Sequence, residues 1–110
     1  MYYSFSCYDA MFVQKALVKF QIGDSLGAMD LVRRVENRFP EAPEVRAALA
    51  TLLSAKGDQV GAQRKFLEIP DRQRLKYVDQ SFLEGTISWP PKMIEVLGQL
   101  TNAVGDKSTE

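Results

Sequence analysis

The pair Gly23-Asp24 returns 34 residues later as Gly57-Asp58. Ala16 and Ala50 keep the same interval, and so do Ala28 and Ala62. Apolar residues fall at helical spacing before and after each Gly-Asp pair, so residues 9–74 read as one helix–turn–helix written twice. A fixed period of this length belongs to stacked helical hairpins, in which no single hairpin buries its apolar face alone. A chain carrying it is predicted to be all-α.

Within the first unit, Ser6 is a candidate N-cap, and Ala10, Val13, Ala16, Leu17 and Phe20 lie on one stripe of a helix reaching about Ile22. Gly23 suits the left-handed residue that closes a helix, and Asp24 is placed to cap the next. That second helix buries Ala28, Leu31, Val32, Val35 and Phe39, turns Asp30, Arg33, Arg34, Glu36 and Asn37 to water, and stops at Pro40. In the second unit Pro43 occupies a first helical turn, where proline is tolerated, and Val45, Ala48, Leu49 and Leu52 make the stripe. After Gly57-Asp58 the partner helix carries Val60, Ala62, Phe66 and Ile69 until Pro70 ends it. Ala28 and Ala62 are small because helices joined by a two-residue turn must approach closely.

Beyond Pro70 the period is lost. Asp71 is positioned to cap a helix with Leu75, Val78 and Phe82, ending near Gly85. Pro90 and Pro91 forbid helix until the second of them. Met93, Leu97 and Leu100, with Ile94 and Val96, then mark a last amphipathic helix. The expected organisation is a lead-in (1–8), one domain (9–104) of two repeats (9–42 and 43–70) with capping helices (71–84 and 91–104), and a flexible tail (105–110). That makes about six helices and no sheet, a short helical-hairpin solenoid with a C-terminal capping helix.

The composition narrows function mainly by exclusion. Lys+Arg and Asp+Glu balance at 14 each, which supplies no long-range field toward nucleic acid or anionic lipid. No apolar run is long enough to span a bilayer. The opening residues lack the basic and apolar regions of a secretory signal, so any targeting segment is expected outside this numbering. Histidine is absent and Cys7 is the single cysteine, so the usual general base, the commonest metal ligand and an internal disulfide are all missing. The glycines do not form a phosphate-binding loop. No catalytic residue, metal site or cofactor is expected.

The residues also carry a resemblance. Ala16, Gly23, Ala28 and Pro40 in the first unit, and Ala50, Leu53, Gly57, Ala62 and Phe66 in the second, resemble tetratricopeptide-repeat positions, while Lys19, Arg46 and Pro70 depart from that pattern. Followed by Asp71-Arg72, Tyr77 and then Ser88-Trp89-Pro90-Pro91, the pair is similar to a small tetratricopeptide-like family of cyanobacteria and plastids. Its plant members are chloroplast lumen proteins. The resemblance implies a thylakoid lumen location and a non-catalytic scaffold, an accessory subunit or assembly factor peripheral to a photosystem complex. Without the resemblance, the compartment of a soluble chain stays open.

Two surfaces are candidates for a protein partner. In hairpin repeats of this kind the first helices line a concave face, here Val13, Leu17 and Phe20 against the small Ala47, Thr51 and Ser54. Such a face needs cover, from a partner docking near Tyr2, Tyr3, Phe5 and Phe20, from the lead-in itself, or from Met93 and Leu97 of the last helix; the partner is the expected occupant. The second is a basic docking patch of Arg64, Lys65, Arg72, Arg74 and Lys76, suited to an acidic protein surface rather than nucleic acid because Glu68, Asp71 and Asp79 dilute it. Trp89-Pro90-Pro91 reads either as a docking ligand or as a plug that aims the last helix back over the stack, and the plug is favoured. The alternatives are a module holding a small ligand or pigment in the groove, and a cytoplasmic chaperone-type adaptor clamping peptide carboxylates with Lys15 and Lys19.

Overall fold

Two identical helix ends set the architecture. The computed structural model describes residues 7–108, with side chains over 11–104, and the described chain is all-α. Helix α1 (Cys7–Gln21) stops at Gly23, whose φ of 100° only glycine adopts without strain, and α3 (Pro43–Lys56) stops at Gly57 with φ 105°. At each end the following Asp N–H returns to a carbonyl five residues back, Lys19 O at 2.7 Å and Leu53 O at 2.9 Å. The same Asp then starts the next helix. Asp24 accepts from Gly27 N at the head of α2 (Ser25–Arg38), and Asp58 accepts from Gly61 N at the head of α4 (Gln59–Leu67), both at 2.9 Å.

Gly27 and Gly61 are part of this device. A Cβ on Gly27 would lie 2.3 Å from Asp24 Oδ2, and one on Gly61 would lie 2.4 Å from Asp58 Oδ2. The repeated unit is therefore Gly-Asp-x-x-Gly, in which the second glycine makes room for the capping carboxylate.

Packing follows the period as well. Val32 and Val35 of the first hairpin have Phe66 and Ile69 as their equivalents, and all four are buried. Leu26 and Val60, also equivalent, project from the hairpin tips at 84% and 70% exposure, so Val60 is not core as its spacing suggested. Glu36, expected to face water, is half-buried and bonds Lys65 of α4 at 2.8 Å, tying the two second helices together. Arg46 sits where the repeat pattern asks for a bulky apolar group. It donates to Pro40 O at 2.9 Å and Glu68 O at 2.6 Å, serving a carbonyl just past the end of α2 and another at the end of α4.

Helix α3 is the centre. Every residue from Val45 to Ser54 except Arg46 is buried, because α2, α4 and α6 (Pro91–Ser108) surround the helix and α1 touches its edge. Its two buried hydroxyls are answered within the chain, Thr51 by Ala47 O at 2.8 Å and Ser54 by the Gln59 amide oxygen at 3.2 Å.

The segment between α4 and α6 departs from expectation. Its spacing predicts one continuous helix with Leu75 and Val78 in the stripe. The chain instead forms the four-residue α5 (Asp71–Arg74), a 3-10 turn (Leu75–Val78) and a π turn (Phe82–Thr86), and Asp71 makes no cap because Pro70 holds that position. Aromatic packing decides this. Tyr77 meets Phe82 edge-on with ring centres 5.5 Å apart, and Trp89 at 6.1 Å, so the backbone bends to bury Tyr77, Leu83 and Trp89 while Leu75 and Val78 stay in water. Ser88 takes the left-handed conformation at φ 52°, and Trp89 N reaches back to Leu83 O at 2.8 Å.

The last helix then crosses the molecule. From Pro91 it packs on α1, α3 and α4, with Met93, Leu97 and Leu100 buried. Its first turn is pinned to α1: Lys92 N bonds the Gln21 side chain at 3.0 Å, and the Lys92 ammonium sits 4.6 Å over the Phe20 ring. Gln14 adds a bond to Ile87 O at 2.6 Å. The helical backbone runs on through 105–108, residues expected in the tail. The radius of gyration, 13.0 Å, is that of a compact domain of this length, not of an open array.

Two measurements check these placements. Gly98 is helical with open space around its missing Cβ, so Gly98→Ala should raise stability by about 0.5–1 kcal/mol. Gly61→Ala should bring no such gain unless Asp58 is also replaced, because the new methyl displaces the cap. Equal gains at both positions in otherwise wild-type chains would refute the coupling. Leu17 and Phe20 are core residues, 0% and 2% exposed. Leu17→Ala should therefore cost about 2–5 kcal/mol in chemical denaturation, and Leu17→Asp should unfold the domain; a wild-type midpoint in Leu17→Ala would return this residue to the surface.

Candidate functional site

The concave face is occupied by the chain itself. Val13, Leu17 and Phe20, expected to bind a partner, are buried together with Ala47, Thr51 and Ser54 in the domain core. The physical reason is reach: the Trp89-Pro90-Pro91 corner turns α6 across the first helices rather than stacking it on the far end. Of the covers the sequence allows, the last helix is the one used. Tyr2, Tyr3 and Phe5 lie outside the described residues, as do Ser6 and the side chain of Cys7. Of the two lysines of the carboxylate clamp, Lys19 pairs with Asp24 at 3.5 Å and Lys15 is exposed.

The basic cluster divides in three dimensions. Lys65 is held between Glu36 at 2.8 Å and Glu68 at 3.2 Å, and the Glu36 hydrogen bond, ahead of the opposing desolvation, holds its ammonium above the usual lysine range. Lys76 stands 6.0 Å over the Phe82 ring. Arg74 pairs with Asp71. Arg64 and Arg72 are exposed and make no ion pair among the described residues.

Two of these cations border an opening. Between α4, α5, the 3-10 turn and α6 lies a groove of about 430 Å³. Phe66 and Val104 form its buried floor, Leu75 and Val78 its exposed wall, and Arg72 and Arg74 stand among its lining groups. Spacing alone places Leu75 and Val78 in a buried stripe. Nothing local in the sequence distinguishes that stripe from an exposed wall, since the choice depends on Tyr77 and Trp89 finding each other.

A second polar locus lies beneath the corner. The Trp89 indole N–H is buried without a hydrogen bond of normal geometry. The Glu44 carboxyl beside it receives only a weak contact from that N–H, and burial outweighs the contact, raising Glu44 above its ordinary value of 4.5. Burial, with the nearby Glu44 charge, also pushes the Tyr77 hydroxyl well up, so it stays protonated. Among the described residues no group of His, Cys, Asp and Glu could hold a metal ion, and no helix is long and apolar enough to cross a membrane.

No protein-family model, curated protein or solved structure matches the chain.

The raised Glu44 pKa has a definite sign. The folded state prefers the protonated carboxyl, so that contribution is complete below 4.5 and is lost as pH rises through the higher folded value. Replacing Glu44 with Gln fixes a neutral group there. The stability of Glu44→Gln relative to wild type should therefore shift in the variant's favour between acidic and neutral pH. A difference that does not change with pH would show that Glu44 is freely solvated.

Proposed function

We propose that this protein is a non-catalytic, tetratricopeptide-like scaffold that binds other proteins, as an accessory subunit or assembly factor on the lumenal side of a thylakoid photosystem complex. The placement beside a photosynthetic complex rests on the resemblance carried by the two Gly-Asp hairpins and Ser88-Trp89-Pro90-Pro91. One observation carries the binding role: the groove wall leaves Leu75 and Val78 at 69% and 58% exposure above a floor of Phe66 and Val104. Apolar side chains exposed together along a groove support a docking role. Because α6 fills the concave face, the partner docks on the outside of the domain. A groove of about 430 Å³ also lies within the range of small-molecule sites, which favours a ligand- or pigment-binding module as the second reading.

Native gel separation of thylakoid membranes, probed for this chain, tests the proposal. Co-migration with a mature complex is expected for a subunit, and co-migration with precursor complexes for an assembly factor. Migration as the free monomer throughout would overturn the scaffold role, and a coloured or ligand-bearing purified protein would favour the second reading.

A further inference from the structure

The shape and charge of the groove say more about its occupant. Leu75 and Val78 stand one helical turn apart along the wall and are more than half exposed. A small molecule seated there would leave much of its surface in water, whereas small-ligand sites bury most of theirs. An amphipathic helix needs only a strip, on which its own residues at i, i+3 and i+4 meet apolar groups at matching intervals. The rim adds a sign. Arg74 is neutralised by Asp71, and Arg72 beside it is exposed and pairs with no carboxylate among the described residues.

We infer that the groove receives an amphipathic helix from a partner protein, its apolar face on Leu75, Val78 and Phe66 and an acidic residue set against Arg72. This rests on the scaffold role and specifies the partner's chemistry. A basic helix meets Arg72 as a like charge and is disfavoured. The hairpin tips, where Ile22, Leu26 and Val60 are also exposed, are the competing apolar surface.

The test uses the full chain and two synthetic helical peptides with identical leucine spacing, one bearing glutamates on its polar face and the other lysines. Amide NMR spectra should show the glutamate peptide shifting signals around Phe66, Leu75, Val78 and Thr101, and the lysine peptide leaving them in place. Arg72→Glu should weaken the glutamate peptide about tenfold or more, and Leu75→Asp should abolish binding. Both positions are exposed, so both variants should keep the wild-type circular dichroism. Binding of neither peptide, equal binding of both, or shifts centred on Ile22 and Leu26 would overturn the inference. So would competition by vesicles of phosphatidylcholine and phosphatidylglycerol in equal parts, which would make the occupant a membrane surface. If Leu75→Asp binds no peptide yet still co-migrates with the complex, the groove assignment falls and the scaffold role stands. If the wild-type chain binds the glutamate peptide but never co-migrates with a complex, the groove assignment stands and the scaffold role falls.

Discussion

Everything else in the domain depends on the last helix covering the first ones. Two hairpins alone leave Val13, Leu17 and Phe20 facing a floor of Ala47, Thr51 and Ser54, an apolar surface that water would oppose at roughly 25 cal/mol per Å². Helix α6 removes that surface from water and is held in place at its start by Lys92 over Phe20 and by the Gln21 side chain. The small side chains of α3 suit a close approach, and α6 packs on α3 more extensively than on α1. Helix α3 is thereby enclosed on every side, which explains why its sequence shows almost no polar stripe.

That enclosure depends on the hairpins being rigid enough to present a fixed floor. Each turn is built from a left-handed glycine, an Asp that caps, and a second glycine beneath the carboxylate. The device satisfies the ends of two helices within five residues, so each hairpin needs no further support at its tip. The Lys65–Glu36 pair and the Arg46 bond to Pro40 O then fasten one hairpin to the other at the opposite end, and the Arg46 bond to Glu68 O closes the second hairpin.

The exposed groove is a by-product of how the core closes. Once Tyr77, Leu83 and Trp89 are drawn inward, the backbone between Pro70 and Pro90 cannot remain a regular helix, and Leu75 and Val78 are turned out beside Phe66 and Val104. The interior faces of a hairpin array commonly bind partners. In this molecule the interior is consumed by α6, and an exposed apolar groove lies along the flank where α4, α5 and α6 meet.

How much of this was legible in the residues follows from the range of the forces involved. Helix ends are local: Gly23, Asp24, Gly57 and Asp58 announce the turns because left-handed backbone and N-capping involve residues within a few positions of each other. The all-α class and both hairpins were readable on those terms. The clash that demands Gly27 and Gly61 is equally local, and the repeat of Gly-Asp-x-x-Gly was there as its signal. Burial is different, because an apolar stripe records only that something covers it. Val13, Leu17 and Phe20 looked the same whether the cover was a partner or α6, and Leu75 and Val78 looked like core until Tyr77 and Trp89 claimed the interior. By itself the sequence determined where helices start, stop and turn back. Which apolar faces meet was decided only in the tertiary structure, because the hydrophobic effect is non-directional and its choice among partners rests on long-range geometry.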